Sequence, residues 1–160
     1  MARKYKQGWY RLINKDKFIL PSDGFMNSYK EENGESYLNF KSSFELKAFR
    51  FADSNPAIVK FSIEPFAIKY LKPTDAKIHR YYIDMYLEFK SGDKFLVEIK
   101  PYSETIPPKQ PKRLTQKSQI NYQKAISTYL INQAKWAAAK EFAQKNNMRF
   151  IILTERELNL

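Results

Sequence analysis

The most regular pattern in the chain is the alternation of hydrophobic and polar residues in YYIDMYLEFK, residues 81–90. One predicted face carries Tyr81, Ile83, Met85, Leu87 and Phe89, and the other carries Asp84, Tyr86, Glu88 and Lys90. A period of two is typical of a half-buried β-strand. DKFLVEIKPY, residues 93–102, repeats the pattern, and the turn-forming residues Ser91, Gly92 and Asp93 lie between the two stretches. We therefore predict a β-hairpin, with one continuous strand over residues 81–90.

Helical spacing is found on both sides of this hairpin. Ser42 and Glu45 have the spacing of a capping box, and Phe44, Ala48, Phe51 and Ala52 follow at helical intervals. This predicted helix ends near Asn55, because Pro56 follows. A second helical tract is predicted from about residue 115 to residue 147, with a break near Asn132.

Shorter patterns complete the predicted order of elements. AIVKFSIEPFAIKYL indicates two strands parted near Pro65, and MRFIILTE indicates a final strand before the start of a last helix in ERELNL. Residues 1 to about 40 lack a clear period, so we expect an irregular basic and aromatic arm there, with one short strand at most. The order predicts an α/β fold with a mixed central sheet flanked by helices. We expect a single domain over residues 1–160, with its core in residues 42–157.

Composition narrows the kinds of partner that are expected. The 160 residues carry a net charge of +11, which favours an anionic partner, with nucleic acid first and a membrane surface second. The chain has no cysteine, so disulfides and thiolate zinc clusters are excluded. No stretch approaches eighteen apolar residues, and we therefore expect a soluble intracellular protein without a membrane partner.

The candidate chemistry lies at the end of the second hairpin strand. Because the two strands share the same parity, a turn at residues 91–93 would place Asp84 opposite Lys100 and Tyr86 opposite Glu98. Asp84 and Glu98 would then be diagonal neighbours about 7 Å apart at Cα. Two such carboxylates could share one divalent ion, and oxygen ligands suit Mg²⁺ or Mn²⁺. The alternative is that Glu98 and Lys100 form an ordinary solvated ion pair.

Two other Glu-x-Lys triplets fit this geometry less well. Glu45-Leu46-Lys47 lies in the predicted helix, where residues i and i+2 do not share a face. Glu88-Phe89-Lys90 lies on the same strand as Asp84, about 13 Å away at 3.3 Å per residue. Only the triplet that begins at Glu98 is therefore expected to lie beside Asp84.

Four segments carry a resemblance to a known family. SSFELKAFRFADSNPAI, KIHRYYIDMYLEF, VEIKPY and INQAKWAAAKEFAQKNNMRFIILTE resemble the head completion nucleases of T-even-type tailed phages and, more distantly, the endonuclease subunit of heteromeric transposases. The resemblance covers residues 5–157 and implies a restriction-endonuclease-like PD-(D/E)xK core. Ile83 stands where the motif's name has proline. By this resemblance the nuclease residues are Glu45, Asp84, Glu98 and Lys100.

The resemblance implies a metal-dependent deoxyribonuclease with endonuclease and exonuclease activity. Asp84, Glu98, Glu45 and the Ile99 carbonyl would hold Mg²⁺ or Mn²⁺, while Lys100 would orient or deprotonate the attacking water. It also implies work in phage morphogenesis, in head completion and head–tail joining after DNA packaging. The expected setting is the host cytoplasm during virion assembly, with retention in the virion as a second expectation. The expected partners are DNA and the portal or neck proteins.

Basic residues outside this motif are predicted to contact DNA phosphates: Arg80, Lys109, Lys112, Arg113 and Lys117. Cations and rings also alternate near the start of the chain and favour stacking on DNA or docking on a protein: Arg3, Lys4, Tyr5, Lys6, Trp9, Tyr10 and Arg11. Two alternatives to the phage nuclease stay open. One is a structural head–tail joining or DNA-binding protein with a vestigial site, and the other is a transposase-type or junction endonuclease.

Overall fold

A computed structural model gives the fold and describes residues 7–21 and 26–158. The strands in these ranges are β1 (Gly8–Arg11), β2 (Tyr29–Glu32), β3 (Glu35–Phe40), β4 (Ile58–Ile63), β5 (Ala67–Lys72), β6 (Lys77–Tyr82), β7 (Met85–Phe89), β8 (Lys94–Ile99) and β9 (Arg149–Leu153). The α-helices in these ranges are α1 (Ser43–Ser54) and α2 (Gln116–Lys145). Within the described ranges, neither helix is both long enough and apolar enough to cross a bilayer.

The central sheet has the strand order β4-β7-β8-β9. Its first three strands pair antiparallel, whereas β9 runs parallel to β8. On one face Val97 packs in a hydrophobic cluster with Phe49 of α1, and on the other face Leu96 packs with Trp136 and Ala139 of α2. A mixed central sheet flanked by helices, as predicted, is thus confirmed.

The N-terminal region is folded where the structure describes it, so the prediction of an irregular arm was wrong there. Strands β1, β3 and β2 form a three-stranded antiparallel sheet, and Leu12 and Leu38 are buried in the same cluster as α1. The pattern was missed because β1 and β2 have only four residues each and none of those residues is buried. Trp9 is partly exposed, and the ammonium of Lys30 lies 4.6 Å from its ring. Arg3, Lys4, Tyr5 and Lys6 lie outside the described residues.

The hairpin has a different register from the predicted one. Tyr86 pairs with Leu96 rather than Glu98, and continuing the pairing past Met85 brings Asp84 level with Glu98 rather than with Lys100. The cause is the turn, which spans residues 90–92 because the Phe89 N–H donates to the Asp93 carbonyl. Gly92 ends this turn with φ +92°, a conformation that favours glycine. A shift of two residues preserves parity, so each side chain of β7 and β8 keeps its predicted face.

The predicted single strand over residues 81–90 is two strands that belong to different sheets. Strand β6 ends at Tyr82 and pairs with β5, whereas β7 begins at Met85 in the central sheet. Tyr81 and Ile83 pack on the α2 side, while Met85 and Leu87 pack on the α1 side. The alternation continues through this bend because both sides of the sheet are covered and both favour hydrophobic residues.

The helices agree with the predictions except in detail. The Ser42 hydroxyl accepts from the Glu45 N–H at 3.1 Å, and α1 ends before Asn55 as predicted. Phe51, however, is exposed instead of packed. Helix α2 runs unbroken past Asn132, which is buried at its middle, so the predicted break was wrong. Residues 155–158 form a turn instead of the predicted start of a helix.

Asp53 of α1 is completely buried and connects the helix to the N-terminal segment. Its carboxylate accepts hydrogen bonds from the Tyr10 hydroxyl at 2.6 Å, the Ile13 N–H at 2.8 Å and the Asn14 N–H at 2.9 Å. Buried donors are costly to leave unpaired. This contact holds the N-terminal sheet in place and, with it, the residues that this sheet contributes near the site.

We expect Asp53→Ala to lower the free energy of unfolding by about 3 kcal/mol, because three donors lose their acceptor. Urea denaturation measures this change. The matched control is Asp16→Ala, which removes an exposed carboxylate and should change stability by less than about 0.5 kcal/mol. Equal effects of the two substitutions would contradict an anchoring role for Asp53.

Candidate active site

Asp84 lies where β6 and β7 diverge. Its Oδ2 accepts a hydrogen bond from the Ile99 N–H of β8 at 2.8 Å, and its backbone carbonyl accepts from the Glu64 N–H at 2.9 Å. The side chain is therefore fixed by the backbone of the neighbouring strand. Oδ1 makes no hydrogen bond to the described residues and stays available to a ligand.

Glu45, Asp84 and Ile99 line one small pocket of about 20 Å³, close to the space that one water molecule occupies. Glu45 belongs to the first turn of α1, and its Oε2 accepts from the Lys41 N–H at 2.6 Å. The Ser42 hydroxyl thus caps the start of α1, while the Glu45 carboxylate accepts from the backbone N–H of Lys41. Glu64 also lines the pocket, and its carboxylate lies 3.6 Å from the Lys41 ammonium.

Glu98 and Lys100 lie next to this pocket, on the strand that holds Ile99. Lys100 Nζ lies 3.7 Å from Glu98 Oε1 and 4.0 Å from Glu104 Oε2. Glu98 is only 5% exposed, and its Oε2 accepts a hydrogen bond from the Tyr81 hydroxyl. Glu98 is therefore buried while the Lys100 side chain stays 28% exposed, so the pair is only partly solvated rather than the ordinary solvated ion pair of the alternative.

The carboxyl groups influence one another strongly. Burial raises the pKa of Asp84 well above its usual range, and the nearby charge of Glu98 raises that pKa further. Burial also raises the pKa of Glu45. Lys100 acts in the opposite direction on both groups but does not offset their burial. A cation bound at this point would relieve the repulsion among the carboxylates.

The residues fit a hard divalent cation by their chemistry, since carboxylate and carbonyl oxygens are the ligands that Mg²⁺ and Mn²⁺ prefer. Asp84, Glu45 and the backbone of Ile99 meet at the small pocket, with Glu98 beside it. In residues 7–21 and 26–158, however, no three histidine, cysteine, aspartate or glutamate side chains are already arranged around a single metal position. Asp84 Oδ2 and Glu98 Oε2 each hold a protein hydrogen bond instead.

The residues predicted to contact DNA lie apart from this pocket. Lys109, Lys112 and Arg113 lie on the exposed loop between β8 and α2, and Lys117 lies in the first turn of α2. Arg80 is exposed on β6, where it pairs with Lys69 of β5. None of these five cations forms a salt bridge with the described part of the chain.

Two residues of the site were missed by the sequence reasoning. Tyr81 was counted as a hydrophobic strand residue, although its hydroxyl donates to Glu98. Lys135 of α2 lies 5.6 Å from the Tyr81 ring and 5.8 Å from the Tyr70 ring. Burial lowers the pKa of Lys135, and the charge of Glu98 opposes that shift. No local pattern indicates Lys135, because its neighbours in space come from other elements.

Comparison with known proteins agrees with this fold. A family profile described as TnsA-like endonuclease N terminal matches residues 55–155, which include Asp84, Glu98 and Lys100. The chain belongs to this family and is a nuclease with the restriction-endonuclease-like fold. The head completion nuclease of Enterobacteria phage T4 is 34% identical over 129 residues, which are 81% of this chain and 86% of that protein. Within the nuclease class, the chain is thus of the phage head completion kind, as the resemblance implied.

Proposed function

We propose that this nuclease is a Mg²⁺-dependent deoxyribonuclease that hydrolyses phosphodiester bonds at the Asp84 pocket. The observation that carries the proposal is the meeting of Glu45, Asp84 and Ile99 at one pocket, with Glu98 and Lys100 at its side. Oxygen ligands and a neighbouring ammonium are what such hydrolysis needs. Mn²⁺ should replace Mg²⁺, because it accepts the same ligands.

The cation, when bound, would lower the pKa of a water molecule and neutralise charge on the reacting phosphate. Asp84 and Glu98, with Glu45 and the Ile99 carbonyl, are the residues that would hold it. The Ile99 N–H fixes Asp84, and the Tyr81 hydroxyl fixes Glu98, so both carboxylates are oriented before a ligand arrives. Lys100, whose Nζ lies 3.7 Å from Glu98 Oε1, would orient or deprotonate the attacking water or contact the phosphate.

We also propose the setting in which this activity is used. The T4 relative is named for head completion, and this chain carries the net charge of +11 that suits a DNA substrate. The nuclease would trim packaged DNA at the head portal, by endonucleolytic or exonucleolytic cuts, before the tail joins. Portal or neck proteins would be its partners, and the host cytoplasm or the assembled virion its location.

The proposal is tested with purified protein and both linear and supercoiled DNA. Cleavage is expected with Mg²⁺ or Mn²⁺ and should stop in EDTA. Nicking of supercoiled circles reports endonuclease activity, and release of short products from end-labelled linear DNA reports exonuclease activity. Cleavage that persists in EDTA would refute the metal dependence. Tight binding without cleavage under every metal condition would favour a DNA-binding protein with a vestigial site.

The basic loop gives a separate prediction about binding. Lys112→Ala with Arg113→Ala should weaken DNA binding for all sequences and reduce the slope of log K against log salt concentration by roughly two. The physical reason is the release of fewer counterions from the DNA backbone. Salt titrations of binding to a labelled duplex, with the metal removed by EDTA, measure the slope.

The matched control for this pair is Lys90→Ala with Lys94→Ala. These two exposed cations lie at the hairpin end of β8, whereas Lys100 lies at its other end, about 20 Å away at 3.3 Å per residue. This control pair removes the same two positive charges as the loop pair. A purely long-range electrostatic effect would therefore change the salt slope of binding equally in both double variants. An unchanged slope for the loop pair would show that this loop does not track the DNA backbone.

A further inference from the structure

A second cavity, of about 270 Å³, lies between helix α2 and the loop that follows β8. Its lining residues come from both elements: Ser103, Glu104, Ile106, Pro108, Ala125, Thr128, Tyr129 and Asn132. Its volume is just below the range of about 300–1,000 Å³ that is usual for drug-sized ligands. A cavity of this size suits one small group rather than a peptide or a base pair.

Asn132 indicates that the occupant is polar at its edge. This side chain is only 7% exposed, and its amide makes no hydrogen bond to the described residues. Its amide N and O still reach solvent, because Trp136 Nε1 is the one fully shielded side-chain N or O atom without a partner among the described residues. The amide is therefore open to a ligand that can donate and accept. An asparagine amide can do both at once along the edge of a nucleobase.

The remaining walls suit the faces of a base. Tyr129 offers an aromatic ring, and Ile106 and Pro108 offer apolar surface. Aromatic side chains stack on the faces of bases without regard to sequence. Glu104 adds a carboxylate, which accepts hydrogen bonds from exocyclic amino groups.

The cavity is also close to the active site. Glu104 Oε2 lies 4.0 Å from the Lys100 ammonium. Lys135 lies one helical turn after Asn132, and the nearby charge of Glu98 acts to raise the pKa of Lys135. The loop that forms one wall continues directly into exposed Lys109 and Lys112. A DNA backbone that follows these cations would carry its bases past the mouth of the cavity.

We propose that this cavity, the base pocket, holds one unstacked nucleobase of the strand being cut, next to the scissile phosphate. This inference rests on the proposed deoxyribonuclease function. Removing a base from the stack costs a few kcal/mol and costs least where the base is unpaired. The enzyme should therefore cut frayed ends, overhangs and single strands faster than intact duplex.

The test is a set of single-stranded oligonucleotides that each carry one abasic site at a different position around the cut. In the wild type, the abasic site at one position should reduce cleavage about 5-fold to 100-fold, in line with the loss of one stacked base. In Asn132→Leu, which matches the asparagine in size, cleavage of the intact strand should fall and the same abasic site should have much less further effect.

A second variant keeps the test independent of folding. Thr128→Trp fills the base pocket from an exposed helix position and should mimic Asn132→Leu, whereas Gln133→Trp, also exposed on α2 but outside the lining, should behave as wild type. Equal cleavage of all abasic strands, or normal positional sensitivity in Thr128→Trp, would overturn the base pocket while leaving the nuclease proposal intact. Absence of cleavage of any DNA with Mg²⁺ or Mn²⁺ would instead refute the nuclease proposal on which the base pocket rests.

Discussion

Asp84→Asn should reduce Mg²⁺-dependent cleavage by about 10²–10³-fold or more, while the metal-free protein stays at least as stable as the wild type. Asparagine keeps an oxygen that can accept the Ile99 N–H, so the local structure should be retained. It removes the negative charge that a cation needs, which is why the loss should fall on cleavage. In the metal-free fold, burial disfavours the charged form of Asp84 and so raises the pKa of its carboxyl group.

The stability effect of this substitution depends on pH in a definite direction. Because the pKa of Asp84 is higher in the folded than in the unfolded protein, its contribution to stability is complete below the unfolded pKa of about 4. That contribution is lost as the pH rises through the folded pKa. In EDTA, the advantage of Asp84→Asn over the wild type should therefore be present at pH 7 to 8 and should vanish as the pH approaches 4.

Thermal unfolding measures both the metal and the charge effect. Mg²⁺ should raise the melting temperature of the wild type, because a ligand that binds only the folded state stabilises it, and this shift should be lost in Asp84→Asn. The matched control is Glu88→Gln, which neutralises a half-buried carboxylate of β7 that accepts from the Tyr86 hydroxyl. Equal cleavage by wild type and Asp84→Asn would remove Asp84 from the active site.

Lys100→Met should reduce cleavage by about 10²-fold or more and change DNA binding little. Methionine retains the length and packing of the lysine stem but lacks the ammonium that lies 3.7 Å from Glu98. The loss is expected in the catalytic rate because proton transfer and charge stabilisation act in the transition state. At most one phosphate contact would be lost, so the salt slope of binding should change by about one or less.

Single-turnover cleavage with saturating protein separates this rate effect from binding. The matched control is Lys90→Met, which changes the exposed lysine of the other strand triplet, Glu88-Phe89-Lys90, and should cut at the wild-type rate. Weakened binding with a normal single-turnover rate in Lys100→Met would make Lys100 a DNA-binding residue rather than a catalytic one. Equal losses in both variants would indicate a general charge effect.

The positions of Glu45, Asp84, Glu98 and Lys100 relative to the elements were predictable from local pattern. The capping spacing of Ser42 located α1, and strand parity predicted the faces of β7 and β8. The predicted faces were kept although the predicted turn was wrong by one residue. A hairpin register that keeps each side chain on its face can shift only by two residues. The roles of the four residues in catalysis stay predictions for the variants to decide.

The three-dimensional arrangement was less accessible to sequence reasoning. The bend between Tyr82 and Met85 left no trace in the alternation, since α1 covers one face of the sheet and α2 the other. Tyr81 and Lys135 acquire their neighbours only when β6 and α2 pack against β8. Strands β1 and β2 were missed because each has only four residues and is held by pairing with β3.

The sequence by itself predicted the two helices, because capping and periodicity are properties of neighbouring residues along the chain. Its resemblance to the phage head completion nucleases indicated the nuclease class. Only the tertiary structure decided the hairpin register, the placement of Asp84 on the Ile99 N–H and the burial of Glu98 against Tyr81. The two hydrogen bonds join residues that are 15 and 17 positions apart. Their energies depend on burial and on neighbouring charge, which exist only once the sheet and both helices have packed.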